Sequence, residues 1–456
     1  MSTFFGAEEL WIKRSSDDEM EPVLLVGVYE TSGESYSSEE DFLHSMEELG
    51  ELAKACMMEP MGEITQQLPQ VNVSLYVGSG KADEIKGAAE MVGAKRVIFN
   101  DTLSPSQMRN LQKLLELPIT DRTGLILEIF SLRARTREAK IQVELARLQY
   151  LKPRLSGLWA TQNRQGGASG AMSSKGEGEK QLELDRRTID HRLSELRREL
   201  KSITKERETR RRKRQNANIP LVALVGYTNA GKSTIMNAMV DAYSADMRKE
   251  ERKVFEANML FATLDTTVRR ICPSKGREFL LSDTVGFIDK LPTALVEAFK
   301  STLEEATEAD LLLQVVDGSD PHCLENIDVT KKTLLDLGAA HIPMLTVFNK
   351  SDLCDPPVEY PRSGLKETSI AGDRNDNVYI SAREASSIEF LAAKITEKLN
   401  SGNIEVQLVI PYNKGDAASY LMQNGNVLSL EYTDNGTSLK VSCSKQVYET
   451  ARKMMS

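Results

Sequence analysis

The sequence predicts a multidomain α/β protein, and three observations support that prediction. The chain has 456 residues, which is too long for one compact core and suggests roughly three domains. Between Val23 and Phe130, short apolar segments alternate with segments of helical period, as in a parallel sheet with crossover helices. Residues 137–214 instead show the apolar spacing of long paired helices, and the strand–helix alternation returns after Pro220.

Residues 1–136 are predicted to form an N-terminal α/β domain. Strands are expected in "VLLVGVY" (23–29), "VNVSLYVG" (71–78) and "KRVIFN" (95–100). Helices are expected in "SEEDFLHSMEELGELAKACMM" (38–58), "GKADEIKGAAEMVG" (80–93) and "SPSQMRNLQKLL" (104–115). Because each strand is followed by a helix, the strands should run parallel.

Residues 137–215 are predicted to form an antiparallel helical hairpin, here called the arm. Its first helix covers "REAKIQVELARLQYLKPRL" (137–155), and its second runs from about Glu179 to Arg214. The second helix carries apolar residues with coiled-coil spacing, namely Leu182, Ile189, Leu193, Leu196, Leu200 and Ile203. The glycine-rich stretch "NRQGGASGAMSSKGEGEK" (163–180) joins the two helices. It should therefore form the tip of the arm.

Two further domains are expected after the arm. Asn218 and Pro220 end the second helix, and a compact α/β domain is predicted over residues 216–400, with a surface loop at 354–377. Residues 401–456 are predicted to form a small α+β domain in the order strand, helix, strand, strand, helix. The "DNG" at 434–436 is typical of a hairpin turn between its last two strands.

Composition narrows the classes of protein to consider. No apolar run approaches the ~18 residues of a membrane helix, and the acidic N-terminus resembles neither a secretory leader nor a transit peptide. The five cysteines lack CxxC spacing, which argues against a zinc site and against a disulfide framework. We expect a cytoplasmic monomer without a membrane span, and a mature organellar form also fits. The net charge is −9, yet residues 197–214 hold ten basic and three acidic side chains.

The clearest motif is "LVALVGYTNAGKST" (221–234), a strand followed by a G-x-x-x-x-G-K-S loop and a helix. Backbone N–H groups of such a loop surround phosphates, and the helix start adds partial positive charge. Lys232 is expected to reach the β- and γ-phosphates, and the Ser233 hydroxyl to bind Mg²⁺. The predicted nucleotide contacts are Gly226, Tyr227, Thr228, Asn229, Ala230, Gly231, Lys232, Ser233 and Thr234.

Three later motifs complete a guanine nucleotide site. "FLLSDTVGF" ends a strand at Asp283, which should hold Mg²⁺, and Gly286 should sense the γ-phosphate. "MLTVFNKSD" leads to Asp352, whose carboxylate can accept from guanine N1–H and the 2-amino group, which adenine does not offer. In "VYISAR" the Ala382 N–H could meet guanine O6. The predicted contacts are Asp283, Thr284, Val285, Gly286, Asn349, Lys350, Ser351, Asp352, Ser381, Ala382 and Arg383.

Between these motifs lies "FATLDTTVRR" (261–270), where a threonine should complete the Mg²⁺ site. Thr263 is chosen by analogy with the "TL" step of related GTPases, with Thr266 and Thr267 as alternatives. Catalysis is assigned to Lys232, Thr263 and Gly286, and the metal to Ser233, Thr263 and Asp283. The loop's predicted nucleotide contacts are Phe261, Ala262, Thr263, Leu264 and Asp265. The four motifs, in this order, predict a P-loop GTPase domain. Asp317, which ends the apolar run "LLLQVVD", is expected to have a structural role.

Phe287 occupies the position where signalling GTPases usually carry a water-orienting glutamine. Because phenylalanine cannot orient water by hydrogen bonding, intrinsic hydrolysis should be slow unless another group contributes. An external activator or K⁺ could supply that group. Asn229 resembles the cation-binding asparagine of potassium-dependent GTPases, although an asparagine that bonds local backbone is an equal alternative.

The chain resembles the HflX family of ribosome-associated GTPases. The resemblance rests on "YVGSGKADEI" (76–85), "LSPSQMRNLQ" (103–112), "DRTGLILEIFSLRARTREAKIQVELARLQYLKPRL" (121–155), "GEGEKQLELDRR" (176–187), "LFATLDTTVRR" and "DTVGFIDKLPTALVEAFKSTLEEA", and so covers nearly the whole chain. It implies binding to the large ribosomal subunit, with GTP hydrolysis coupled to splitting or rescuing stalled ribosomes. It also suggests a weaker ATP-binding or RNA-unwinding activity of the N-terminal domain.

The resemblance further implies that the arm's tip reaches ribosomal RNA. Arg164, Lys175, Lys180, Arg186 and Arg187 could pair with phosphates, and glycines would let the backbone approach them closely. "AMSSK" (171–175) interrupts the family's tighter glycine repeat. A solvated hairpin tip is the plainer alternative. Two other functions stay open: an ATP-using RNA remodeller regulated by GTP, and a GTP-switched assembly factor with little turnover.

Overall fold

A computed structural model describes residues 20–33, 36, 38–155, 174–216, 219–243, 260–261, 267–273, 277–288, 305–354, 362–363, 377–401, 404–433, 435–443 and 445–455. The chain divides into two compact units. Among the described residues, the first unit contains those up to Lys205 together with 260 and 261, and the second contains the rest.

The first unit contains a four-stranded parallel sheet. Its strands are β1 (Glu21–Glu30), β2 (Met58–Leu68), β3 (Arg96–Phe99) and β4 (Ile119–Asp121), in the spatial order β2-β1-β3-β4. The connections contain the helices α1 (Glu39–Ala55), α2 (Ser79–Val92) and α3 (Pro105–Leu115). The predicted parallel α/β fold of this region is confirmed.

The second strand of this sheet is not where the sequence predicted it. β2 is "MEPMGEITQQL", whereas the predicted strand 71–78 is a loop with a single bridge between Asn72 and Tyr76. The Asn72 side chain accepts two backbone hydrogen bonds there, and Tyr76 adopts a left-handed φ of 68°. β2 was missed because it is an edge strand with alternate residues exposed, which tolerates glutamates, a proline and a glycine.

Two helices continue the first unit: α4 (Arg122–Arg133), buried along most of its length, and α5 (Arg137–Leu151). The long helix α6 (Ser174–Asn216) begins five residues earlier than predicted. Its partners on α5 show that the two helices run antiparallel, because Arg137 binds Glu199, Glu144 binds Arg192, and Lys152 binds Asp190. The seam residues Ile189, Leu193 and Leu196 are buried. The last residues of the predicted glycine-rich tip, 174–180, belong to this helix and not to a loop. Residues 156–173, called the glycine-rich segment below, lie outside the described residues.

The second unit contains a seven-stranded sheet in the order β10-β11-β9-β8-β5-β7-β6. The edge strands β6 and β10 are antiparallel to their neighbours, and the other pairings are parallel. The strands are β5 (Leu221–Gly226), β6 (Thr267–Ile271), β7 (Phe279–Asp283), β8 (Leu311–Asp317), β9 (Met344–Asn349), β10 (Arg362–Ser363) and β11 (Asn377–Tyr379). The helices are α7 (Lys232–Tyr243), α8 (Cys323–Asp336) and α9 (Ala385–Asn400).

The C-terminal residues form a separate three-stranded antiparallel sheet. Its strands β12 (Ile404–Ile410), β13 (Asn426–Thr433) and β14 (Gly436–Cys443) take the order β12-β14-β13, with helices α10 (Gly415–Asn424) and α11 (Lys445–Met455). The predicted order of elements and the hairpin between the last two strands are confirmed. The exact boundaries of the four predicted domains stay predictions.

Candidate active site

The phosphate loop of the second unit joins the end of β5 to the start of α7, and two of its positions require glycine. Gly226 has a φ of +143°, and a Cβ there would lie 2.1 Å from the Val315 carbonyl oxygen. Gly231 has a φ of +93°, and its Cβ would lie 2.2 Å from Nδ2 of Asn349. No other residue fits either backbone position. The loop is therefore held against β8 and β9 by close approaches that only glycine permits.

Asn229, at the exposed crest of this loop, also has a left-handed φ, of 58°. Asparagine tolerates this conformation better than most residues. Backbone conformation alone thus accounts for an asparagine here, which is a reason for Asn229 independent of cation binding.

The ammonium group of Lys232 is buried at the first position of α7. Its Nζ donates to the carbonyl oxygens of Gly226 (3.0 Å) and Tyr227 (2.7 Å). Burial lowers the pKa of Lys232 to about 8, although the charge of Asp283 acts in the opposite direction. Without a bound anion, the site therefore holds a lysine that is partly neutral at the slightly alkaline end of the physiological range. Phosphate groups would restore its charge.

The two oxygen groups predicted to hold Mg²⁺ lie together. Ser233 on α7 donates its hydroxyl to Oδ2 of Asp283, at 2.8 Å, and Asp283 at the end of β7 is fully buried. Mg²⁺ prefers hard oxygen ligands and usually retains several waters, so one hydroxyl and one carboxylate fit its needs. The residues present are thus suited to the metal. The third predicted ligand, Thr263, lies outside the described residues.

The guanine motif is tied directly to the phosphate loop by Asn349. Its Nδ2 donates to the carbonyl oxygen of Ala230 (3.0 Å), while its Oδ1 accepts the N–H of Ala382 (3.0 Å). The buried Asn349 thus links three of the sequence motifs. Asp352 is exposed in a short 3₁₀ turn and is open to a base. Of the predicted neighbours, Ser351 and Ser381 are buried, and Arg383 is exposed.

Lys350 follows Asn349 in a left-handed conformation and forms an ion pair with Asp317, with 2.7 Å between Nζ and Oδ2. Asp317 also accepts from the backbone and hydroxyl of Ser319. These contacts agree with the structural role expected for Asp317. Sequence reasoning did not identify the pairing with Lys350. The only available signal was that both residues stand at the ends of adjacent strands.

The Phe287 ring is buried in the core and does not face the phosphate loop. It packs with Ala223, Val225 and Leu312. Its backbone forms a bridge to the phosphate loop, since Phe287 N–H donates to Gly226 (3.1 Å) and Thr228 N–H donates to Phe287 (2.8 Å). The residue in the glutamine position thus contacts the phosphate loop through its backbone, while its side chain belongs to the core and orients no water.

Gly286 lies immediately above the loop. A Cβ at this position would be 2.9 Å from Cγ2 of Thr228 and 3.1 Å from Nζ of Lys232. A side chain would therefore press on Thr228 and on the lysine. The neighbouring Thr284 is structural, because its hydroxyl donates to the Leu224 carbonyl at 2.6 Å.

The loop 261–265 is described only at Phe261. That ring is buried within the first unit, where it meets Phe130 edge-on at 4.8 Å between centroids. The Phe261 side chain therefore packs against α4. The predicted contacts Ala262, Thr263, Leu264 and Asp265, and the alternative Thr266, lie outside the described residues. Thr267 is the first residue of β6 and is half-buried.

Outside this site, the arm and the N-terminal domain carry the other predicted contacts. Arg186 and Arg187 are exposed on α6, whereas Arg164 and the side chains of Lys175 and Lys180 lie outside the described residues. In "GSGK" (78–81), Lys81 forms an ion pair with Glu84 (2.8 Å) on the same helix. This stretch lacks a full phosphate-loop spacing and is the start of α2, as expected of a turn into a helix. ATP binding by the N-terminal domain stays a prediction. Among the described residues, no helix is both long and apolar enough to cross a membrane.

Comparison with known families matches three models to successive parts of the chain. They are described as "GTP-binding GTPase N-terminal" (residues 43–131), "GTP-binding GTPase Middle Region" (133–214) and "50S ribosome-binding GTPase" (221–350). The break between the first two models falls at the end of α4, and the third model begins at β5.

Comparison with characterised proteins finds similarity along nearly the whole chain. A protein named GTPase HflX from Caldanaerobacter subterraneus subsp. tengcongensis is 41% identical over 91% of each chain. GTPase HflX from Escherichia coli (strain K12) is 39% identical over 89% of each chain. Among solved structures, a GTP-binding protein from Sulfolobus solfataricus in complex with GDP is 24% identical, with a TM-score of 0.40, over 83% of this chain and 99% of that one.

Proposed function

Because the chain belongs to the HflX family of GTPases, we propose that it binds the large ribosomal subunit and couples GTP hydrolysis to the splitting or rescue of stalled ribosomes. The observation that carries this proposal is that one chain combines phosphate-loop and guanine motifs, tied together by Asn349, with a long basic arm. The match of residues 221–350 to a model described as a 50S ribosome-binding GTPase supports it.

Nucleotide binding follows from groups already described. The loop N–H groups and Lys232 hold the phosphates, and Asp352 with the Ala382 N–H reads guanine. Ser233 and Asp283 are the residues that would hold Mg²⁺, which when bound neutralises charge on the phosphate oxygens. Through its two hydrogen bonds, Asn349 holds the phosphate loop next to the loop of Ala382, which is proposed to contact the base. Mg²⁺ is the proposed cofactor of the reaction, and K⁺ near Asn229 is a secondary proposal that stands beside the backbone explanation of that asparagine.

Hydrolysis needs a group that Phe287 does not supply. Most phosphoryl-transfer catalysis comes from charge stabilisation and positioning, and here the water-orienting side chain is absent. The Gly286 N–H and Lys232 remain to stabilise the γ-phosphate. We expect the large subunit to provide the missing group, so that turnover is slow in the free protein and fast on the ribosome.

The arm is proposed as the RNA-binding element. Residues 197–214 carry a net charge of +7, and contacts between such side chains and phosphates give affinity that falls steeply with salt. The protein itself is acidic overall, so the arm is the part suited to RNA. We also propose that the protein acts in the cytoplasm and as a monomer.

Co-sedimentation with separated ribosomal subunits tests the proposal. With a non-hydrolysable GTP analogue, the protein should pellet with large subunits and not with small ones, and GDP should weaken the binding. Turnover should rise on adding large subunits. Equal binding to both subunits in every nucleotide state would contradict it. Binding of large subunits without any increase in GTP turnover would favour a GTP-switched assembly factor. Competition of ATP with GTP for binding to the protein would favour the RNA-remodelling alternative.

A further inference from the structure

A single buried carboxylate connects four elements of the first unit. Asp121, fully buried at the end of β4, accepts the N–H of Gly124 (2.8 Å) and the hydroxyl of Tyr150 (2.8 Å) on Oδ1. Its Oδ2 accepts the N–H of Leu103 (3.0 Å) and the guanidinium of Arg154 (3.1 Å). These donors belong to α4, to α5, to the loop after β3, and to the 3₁₀ turn that follows α5.

Arg154 completes this cluster. Its guanidinium also donates to the carbonyl oxygens of Leu103 (2.9 Å) and Tyr150 (2.9 Å), and its Cζ lies 3.7 Å from the centre of the Tyr150 ring. Planar, multidentate contacts of this kind fix a direction as well as a distance. Burial and the charge of Asp121 raise the pKa of Tyr150, so its hydroxyl stays a donor at any physiological pH.

The backbone around the cluster is shaped to admit it. A Cβ on Gly124 would lie 3.0 Å from the Tyr150 hydroxyl and 3.3 Å from Oδ1 of Asp121. Glycine at this position leaves room for the tyrosine. The "DRTG" (121–124) and "KPRL" (152–155) segments are thus two halves of one contact.

The location of this contact gives it a consequence. Arg154 and the buried Leu155 are the last described residues before the glycine-rich segment 156–173. The returning helix is held nearby, since Lys152 forms an ion pair with Asp190 on α6. The glycine-rich segment therefore starts from a point bonded to the carboxyl end of the parallel sheet.

Stability alone is a weak reason for such a cluster. Desolvating a buried ion pair costs about as much as the pairing returns, and well-packed apolar residues are often at least as stabilising. What a buried, multidentate cluster provides is a unique orientation. We infer that Asp121, Tyr150 and Arg154 are positioning residues that fix the root of the arm, residues 152–155, in the orientation needed for binding to the large ribosomal subunit. This inference rests on the proposed function.

The test compares Tyr150→Phe and Arg154→Lys with a control, Arg192→Gln. Tyr150→Phe keeps the ring and removes one bond to Asp121. Arg154→Lys keeps the charge and loses the fork of donors to Asp121, Leu103 and Tyr150. Arg192 forms a half-exposed ion pair with Glu144 on the same hairpin, away from the cluster. Hydrogen exchange of the free protein is followed in residues 146–155, together with binding to large subunits in the presence of a GTP analogue.

Both cluster variants should exchange roughly tenfold faster in residues 146–155 and bind large subunits roughly tenfold more weakly, the usual effect of losing a hydrogen bond to a charged group. Exchange in β1 and β3 and subunit-free GTP turnover should stay near wild type. The control should change none of these. Normal exchange in both variants would overturn the inference, and so would faster exchange with undiminished binding. Wild-type protein that fails to bind subunits would overturn the proposed function, while the exchange data would still decide whether the root is held by this cluster.

Discussion

Nucleotide affinity should fall as pH rises above about 8, because Lys232 must be charged to hold phosphates. Burial lowers the pKa of Lys232 to about 8 in the free protein. Bound phosphates favour the ammonium form, so the pKa in the complex should lie well above that value. The bound state then carries more protons than the free state between the two pKa values. Binding takes up a proton there, and affinity declines with rising pH.

The size of this pH effect on nucleotide affinity follows from the lowered pKa of Lys232. At pH 9 only about a tenth of the free protein has a charged Lys232, so the dissociation constant for GDP should be about tenfold larger than at pH 7. That corresponds to about 1.4 kcal/mol. Below pH 7 the affinity should be flat with respect to this group.

Two measurements test this prediction. Titration with fluorescent GDP from pH 7 to 9.5 gives the change in affinity, and calorimetry at pH 8.5 in buffers of different ionisation enthalpy counts the protons taken up. Lys232→Arg is the control, because arginine keeps its charge over this range, and ionisation of the guanine base affects both proteins equally. A wild-type affinity that follows the arginine variant at every pH, with no proton uptake, would refute the reasoning.

Three further predictions concern the base, the cation and the arm. Asp352→Asn should weaken GTP binding by about 1.5–3 kcal/mol and admit xanthine nucleotides, and unchanged GTP affinity in a binding titration would show that Asp352 does not read guanine. Asn229→Gly keeps the left-handed backbone and removes the amide, whereas Asn229→Ala adds roughly 1 kcal/mol of backbone strain. If the amide binds K⁺, both variants should lose the difference between turnover in potassium and in sodium. If the backbone alone matters, only the alanine variant should be impaired. Replacing 166–179 by a short neutral linker should spare GTP binding and slow ribosome splitting, and splitting at the normal rate would rule out the arm.

The sequence alone was sufficient to propose the nucleotide site because the parts of the site are local. In "GYTNAGKS" the strand, the loop and the helix start are consecutive, and the glycines follow from backbone positions that no other residue can adopt. The strand-ending positions of Asp283 and Asn349 were equally visible, since apolar runs mark the strands that carry them. The heptad spacing of α6 likewise predicted the paired helices.

Tertiary structure decided what depends on distant partners. The strand "MEPMGEITQQL" was hidden because its single exposed face and edge position allow residues that strands usually avoid. Phe287 predicted the lack of a water-orienting group, yet only the fold shows that its ring lies in the core against Val225. The double role of Asn349, between Ala230 and Ala382, needs two loops that are far apart in sequence.

The root of the arm shows most clearly what the sequence determines and what only the tertiary structure determines. Periodicity predicted two helices and a glycine-rich connection, but it carries no information about where that connection begins in space. Asp121, Tyr150 and Arg154 meet through a carboxylate that gathers donors from four elements. Such a contact has no local pattern, because each donor would be unremarkable in its own segment. The sequence therefore determined which chemistry the protein carries, and the packing of the first unit determined the point from which its arm extends.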